Sequence, residues 1–269
     1  MSARSNVLIV STDADFSLEL FYTSECRELL EPVTINYNAS DEEVKNLLKC
    51  DFDFLYLRDP FNDRSIDQKT AIVNTKNILN RYQNAYRVDG INRYKDMLFE
   101  DKWTQYGLFK EFMPETNLLS SLEVVPGTFV KKRISARSKG VVFQDSDFDS
   151  GAIPTDYIAQ SKLDINDEYR VLLVGGEIIM PLAKKTSKKS KESKVKLMST
   201  DTNLPLKMKE ICQAVYAKTN FDFLGLDIAY SRGRYYLLEV NRSPQFKGYL
   251  RLTKQNLVKT LDQYLLGKS

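Results

Sequence analysis

The patterning of this chain predicts an α/β N-terminal part, an antiparallel-rich middle and an α+β end. Three observations carry that expectation. Strand and helix periods alternate through the first ninety residues. Short apolar runs separated by glycine turns fill 122–182. A hairpin pattern followed by an amphipathic helix closes the chain. At 269 residues the chain accommodates one large domain or two to three small lobes, with enough sequence for a core.

The elements follow in order. Residues 6–11 (NVLIVS) read as a buried strand, 16–30 has helical spacing and 32–37 is extended. The helix expected at 41–49 starts from a Ser40 cap with Glu43 three residues on, a capping box. A strand at 52–57, a helix at 67–82 and a short strand at 85–88 complete a rhythm that implies a small parallel sheet. A helical stretch at 94–112 ends near Pro114. Strands are expected at 122–125, 128–132, 140–143, 157–160, 168–174 and 177–182, with Gly175 and Gly176 turning the last pair. The lysine-rich stretch 184–196 has almost nothing apolar to bury and predicts a loop. A helix at 205–218, a hairpin of 223–230 with 235–240, and a final helix at 249–266 follow.

Composition narrows the chemistry. A net charge of +3 gives no argument for nucleic acid or membrane binding. The sequence has no apolar run long enough to span a bilayer, and its start lacks the pattern of a signal peptide. Cys26, Cys50 and Cys212 are scattered, fit neither a disulfide framework nor a zinc site, and suit a reducing cytoplasm. Histidine is absent, which excludes Ser-His-Asp and Cys-His mechanisms and any His-ligated metal. A metal would take carboxylate and amide oxygens, the preference of Mg²⁺ or Mn²⁺.

The strongest signal is the run from Gly225 through Asp227, Gly233, Glu239 and Asn241 to Ser243 and Pro244. Two strands flank a turn at Gly233. Glu239 and Asn241 are two apart and share a strand face. Asp227 stands opposite Glu239 if the loop is the three residues Arg232–Arg234, whereas a two-residue loop would turn it to the other face. Carboxylates so close repel unless a cation sits between them. An apolar strand ending at Lys131 and Lys132, then a polar loop to Gly140, is a second signal, although it is not a P-loop. Asp101 and Lys102 head a helix that leads to Pro114 and Thr116. Gln160, Lys162 and Leu163, then Glu168 and Arg170, form the fourth group.

Together these four groups resemble, in order, the motifs of the ATP-grasp superfamily, close to its RimK-like branch of glutamate and peptide ligases. They span 101–244, about half of the chain. The resemblance implies a three-lobed ATP-grasp architecture with nucleotide between the middle and C-terminal lobes. The lobes would be an N-terminal α/β lobe over 1–90, a central lid lobe over 91–160 and a C-terminal lobe with the metal site over 161–269. It also implies Asp227, Glu239 and Asn241 as Mg²⁺ (or Mn²⁺) ligands holding the ATP phosphates. Lys102 and Lys131 would be the nucleotide lysines, with Lys132 as second choice. Gln160, Lys162 and Leu163 match the hinge that reads adenine, Glu168 the ribose contact, and Arg170 the catalytic arginine that steadies an acyl-phosphate. Two departures stand out: Gln245 replaces the glycine that commonly follows Ser-Pro, and the phosphate-covering loop is poor in glycine.

The implied function is an ATP-dependent ligase joining a carboxylate substrate to an amine substrate, an amino acid or peptide, through an acyl-phosphate. Its rivals are an ATP-grasp ligase for a small metabolite, including carboxylate–thiol chemistry, and a non-catalytic protein that binds nucleotide or nucleic acid. The intact acidic set argues against a dead enzyme, and the chain lacks a recognisable RNA motif. Oligomeric state is open. Arg58 and Asp59, just past a strand end, are candidate substrate contacts. The lysine-rich stretch 184–196 fits capture of an acidic substrate such as a glutamate-rich tail. Raising the salt concentration should then raise KM for that substrate with little change in kcat, because such steering is screened beyond about 8–10 Å at physiological ionic strength; a KM indifferent to salt would contradict it.

Overall fold

A computed structural model of the chain describes residues 5–61, 63, 65–135, 141–149, 151–186, 193–197 and 204–268. It holds three sheets. The first is parallel, in the order β2-β1-β3-β4, from β1 (Ser5–Ser11), β2 (Leu30–Asn36), β3 (Phe54–Leu57) and β4 (Tyr86–Arg87). Helices α1 (Ser24–Arg27), α2 (Asp41–Leu47) and α3 (Gln68–Arg81) connect its strands. Ser40 caps α2 through the expected capping box: its hydroxyl accepts from the Glu43 N–H while Glu43 accepts from the Ser40 N–H. Both faces of a parallel sheet need covering. Leu8, Val10, Leu55 and Leu57 lie in one core with Ala71, Ile78 and Leu79 of α3, and Val7, Ile9, Phe54 and Tyr56 lie in another.

Helix α4 (Lys102–Phe109) precedes a small antiparallel sheet of order β5-β8-β6-β7. Its strands are β5 (Thr116–Leu118), β6 (Thr128–Lys132), β7 (Val141–Val142) and β8 (Tyr157–Ser161). Its core is modest: Leu119, Val130, Val142, Tyr157 and Ala159.

The third sheet is antiparallel, of order β11-β10-β9-β12-β13. Its strands are β9 (Asp167–Val174), β10 (Glu177–Thr186), β11 (Ser193–Leu197), β12 (Phe223–Ser231) and β13 (Arg234–Asn241). Alternation divides its two faces. Val171, Leu173, Leu224, Leu226, Ile228, Leu237 and Val240 form one core with α5 (Leu206–Thr219) and with Phe99, Phe109 and Met113 around α4. On the other face Leu172, Val174 and Phe223 join the first sheet and α7 (Leu257–Leu266) in a shared core. Helix α6 (Lys247–Thr253) links β13 to α7. No helix among the described residues is long and apolar enough to cross a membrane.

Several expected elements are redrawn. The helix at 16–30 breaks into a 3₁₀ turn, Leu18–Tyr22, and α1, because Thr23 between them is extended (ψ 150°). The helix at 94–112 divides at Asp101, whose carboxylate caps α4 by accepting from the Trp103 N–H after a 3₁₀ segment, Tyr94–Glu100. No strand forms at 122–125; the strand beside β8 is β5. The final helix divides into α6 and α7 at Lys254, which takes a left-handed φ of 61°, and Asn256, which caps α7. The expected loop at 184–196 is strand at both ends. β10 runs on to Thr186 and pairs with β11, so ladder hydrogen bonds satisfy the backbone of a stretch with few apolar residues; its stretch 187–192 lies outside the described residues.

One buried acid is a liability. Asp262 of α7 is 2% exposed and sits by the Cys26 thiol, and burial pushes its carboxyl up to about 8. Between about pH 4 and pH 8 the folded chain therefore keeps a proton that the unfolded chain has released, and stability falls as pH rises through that window. Asp262→Asn should unfold at higher urea than the wild type near pH 9, by on the order of a few kcal/mol, with the advantage vanishing near pH 4. Urea melts at the two pH values check this; an advantage equal at both would contradict it.

Candidate active site

The site is built on three neighbouring strands of the third sheet. Asp227 on β12 pairs with Arg170 on β9 and with Glu239 on β13, so a cation and two carboxylates form one row across the strands. The Arg170 guanidinium grips Asp227 in two-pronged fashion, Nε donating to Oδ1 at 2.7 Å and Nη2 donating to Oδ2. Burial alone would depress the Arg170 pKa, but the Asp227 charge overcomes it and holds the arginine above its usual range. Across the row, Lys102 Nζ lies 3.2 Å from Glu239 Oε1 and donates to the Ser135 carbonyl at 2.9 Å.

The route to this pairing differs from the expected one. The turn holds two residues, Arg232 (φ 48°) and Gly233 (φ 83°), with Ser231 paired to Arg234. Two positive φ values suit the twist of flanking strands. Such a turn alone would face Asp227 away from Glu239. A bulge between Asp227 and Ile228 corrects the register, leaving Leu238 as the extra residue on β13. Leu237 and Val240, three apart, consequently both point into the core. That break in alternation, Leu-Leu-Glu-Val, was the signal in the sequence.

The row opens on a cleft of about 1040 Å³. Lys131, Glu168, Arg170, Asp227, Glu239 and Asn241 line it. Lys102 reaches it through Glu239, and Gln160 through Lys131, whose Nζ donates to Gln160 Oε1 at 2.8 Å. Burial holds Lys131 below its usual pKa, with the Glu239 carboxylate opposing. Lys132, on the alternate side of β6, pairs instead with Asp149 at 2.7 Å. Lys162 is exposed and Leu163 half-buried, and neither lines the cleft. Lys162 Nζ lies 5.4 Å from the centre of the Phe129 ring, and its N–H donates to the Gly127 carbonyl.

Two residues at or beside the site, Phe129 and Glu100, are not among the sequence candidates. Phe129 stands opposite Gln160 and shares a strand face with Lys131, two residues on. Asp59 and Glu100 line the cleft as buried acids. Burial raises both, and the Asp59 charge helps to push Glu100 up to about 8. Period-two alternation from Lys131 would have found Phe129. Asp59 is a candidate from its place past a strand end, whereas nothing in the sequence pattern marks Glu100, which meets Asp59 only in the fold.

The loop after β13 is clasped by the N-terminal sheet. Arg58 is fully buried, so its guanidinium is not the substrate contact expected from its position. It pairs with Asp15 and donates to the Tyr56 hydroxyl at 2.9 Å and to the carbonyls of Ser243 and Pro244. The Ser243 hydroxyl accepts from the Asp59 N–H at 2.9 Å. Gln245 donates to Asp15 Oδ1 at 2.8 Å and accepts from the Ser17 hydroxyl. Gly225 completes the fit: a Cβ there would meet Pro244 Cβ at 2.7 Å.

The donors suit a divalent ion held jointly with phosphate. Among the described residues no three carboxylate, thiol or imidazole groups converge, so an all-protein cage is absent. Asp227 and Glu239 supply two carboxylates, and Asn241 an amide whose buried Nδ2 has no hydrogen-bond partner. Mg²⁺ is commonly bound by one or two carboxylates together with substrate phosphates, and this set fits that demand.

Residues 132–265 match the model of the RimK-like ATP-grasp domain. The chain carries a RimK-like ATP-grasp domain. No curated protein matches it. Among solved structures, the ATP-grasp ligase PsnB, complexed with a phosphomimetic variant of its minimal precursor, Mg and ADP, superposes with a TM-score of 0.73 at 15% identity, covering 98% of each chain. The macrocyclase MdnC bound with precursor peptide MdnA from Microcystis aeruginosa MRC gives 0.66 at 14%, over 97% of this chain and 99% of that one. D-alanine–D-alanine ligase from Bacillus anthracis, complexed with ATP, gives 0.65 at 12%, over 99% and 98%. At these identities the likeness establishes the ATP-grasp fold.

The clasp has a stability consequence. Arg58→Met would leave Asp15 and two loop carbonyls buried without their cation, a loss of about 3–5 kcal/mol. Urea unfolding should show that loss, and adding Asp15→Leu should recover part of it. A single variant as stable as the wild type would contradict the buried clasp.

Proposed function

We propose that this ATP-grasp chain is an ATP-dependent ligase that joins a carboxylate to an amine on peptide substrates, through an acyl-phosphate. The observation that carries the reading is the row Arg170–Asp227–Glu239, with Lys102 on its end and Lys131 in the same cleft. Two adjacent carboxylates flanked by cations are the groups that a phosphate chain and its divalent ion call for. PsnB and MdnC, which share the fold, are complexed with precursor peptides, which supports a peptide as substrate.

In this reading ATP lies between the second and third sheets. Phe129 offers its ring face to the base, with the 160–163 hinge beside it, while Glu168 meets the ribose. Lys102 and Lys131 neutralise the phosphates. Asp227, Glu239 and Asn241 would hold Mg²⁺, which supplies positive charge to the β- and γ-phosphate oxygens. A substrate carboxylate oxygen attacks the γ-phosphorus in line, the bond to the ADP oxygen breaks, and an acyl-phosphate forms. Arg170 spends two of its five N–H donors on Asp227 and presents others to the developing oxygen charge. An amine then attacks the carbonyl carbon, loses a proton, and displaces phosphate to leave the amide. No side-chain nucleophile is needed, in keeping with a chain without histidine. Acidic peptides suit the lysine-rich β10–β11 segment, and the lobe boundaries near 90 and 160 belong to the same proposal.

Glu239→Ala is the direct test. ADP release with Mg²⁺ and a peptide pool should fall by at least about 100-fold, while the circular dichroism melt stays within a few degrees of the wild type. Full turnover in that variant would remove the assignment.

A further inference from the structure

The part of the cleft lined by the segment after Gln245 has no role in the ligase chemistry. Helix α6 begins two residues after Gln245, and Lys247, Gly248, Leu250 and Arg251 line the cleft from it. Lys247 and Arg251 are four apart and share one helix face. Arg251 is exposed and makes no hydrogen bond or ion pair among the described residues. Lys247 pairs with Glu19 of the N-terminal part at 2.7 Å, with both side chains more than half exposed. An ion pair that open is worth little, and a ligand can displace it. Apolar side chains line the same cleft. Phe16 faces the cleft with 59% of its surface exposed, beside Leu20 and Leu250. A large exposed aromatic in a concave site beside convergent charges is the composition of a ligand pocket.

The phosphates already have Lys102, paired with Glu239 of the acidic row, and Lys131, from other elements than α6. The reacting carboxylate must reach the γ-phosphate beside that row, and neither α6 cation pairs with it, Lys247 turning to Glu19 instead, so α6 is left to another group of the substrate. We infer that Lys247 and Arg251 read a second carboxylate on the substrate, separated from the reacting one by an apolar side chain that lies against Phe16. The planar guanidinium of Arg251 matches a carboxylate in two-pronged geometry, and Lys247 adds a point charge. The substrate class is a dicarboxylate peptide segment. Its second anion is either an acidic side chain or a free C-terminus, since both present the same group. The inference rests on the ligase reading and adds the residues that select the substrate.

The test uses hydroxylamine, which attacks an acyl-phosphate to give a hydroxamate and phosphate and so needs no natural amine. Three acetylated tripeptides share glutamyl-phenylalanyl and end in glutamate amide, glutamine amide or free glutamine. KM is measured from hydroxamate formation with ATP and Mg²⁺, and peptide binding is measured separately by calorimetry. The wild type should favour one or both dicarboxylate peptides over glutamine amide by about tenfold, and which of them it favours separates side chain from C-terminus. Arg251→Ala should remove most of that preference and Arg251→Glu should invert it, with KM for ATP unchanged. Equal KM and equal affinity for all three peptides in the wild type would overturn the inference, as would a preference that survives Arg251→Glu. Absence of hydroxamate with any peptide would overturn the ligase reading; calorimetry then decides the α6 subsite separately, since an Arg251-dependent preference in binding alone would still support it.

Discussion

The row of charge across β9, β12 and β13 is the interaction on which the site depends. Directly opposed residues in a sheet sit about 5 Å apart at Cβ. Two carboxylates at that distance repel by roughly 3 kcal/mol at an effective dielectric of about 20. Asp227 and Glu239 can occupy neighbouring positions only because Arg170 and Lys102 stand at the two ends of the row. A carboxylate has about four lone-pair sites, so pairing with one protein cation is compatible with a metal ion beside it. The same pairing places the arginine, both lysines and the oxygen donors about one cleft.

That row needs a fixed wall beside it, and the first sheet supplies it. Arg58 closes a buried pair with Asp15 and holds the Ser243 and Pro244 carbonyls, so the loop leaving Asn241 cannot drift. Arg242, also fully buried, donates to the Leu57 carbonyl and pairs with Asp89. Burying two guanidinium groups is costly unless they are paired and hydrogen-bonded. Placing both at one junction makes the N-terminal part and the acidic hairpin a single unit. Gln245, where a glycine is commonly found, takes part in this junction through Asp15 and Ser17. A side chain there extends the clasp and lines the cleft with α6.

Much of the fold was legible because local rules and tertiary packing agree. The alternation in the first ninety residues, the Ser40 capping box and the Gly175-Gly176 turn all state their geometry in a few residues. The acidic pairing was legible too, though for an incomplete reason. A two-residue turn and a bulge at Leu238 together give the register that a three-residue loop would have given. What the sequence hid is non-local. Arg58 reads as an exposed residue past a strand end, and only its meeting with Asp15 and the loop at 243–244 shows it to be buried. Glu100 is likewise unmarked in the sequence and meets Asp59 only in the cleft. The lysine-rich stretch lacks an apolar pattern, so periodicity could not reveal that its ends pair as β10 and β11.

The central claim is that Asp227, Glu239 and Asn241 hold a divalent ion against a nucleotide. Electron paramagnetic resonance of Mn²⁺ titrated into the protein with ADP measures this directly. The account predicts one tightly bound Mn²⁺ per chain that requires ADP and is lost in the double variant Asp227→Asn, Glu239→Gln, while the fold persists. Equal Mn²⁺ binding in the double variant and the wild type would contradict it.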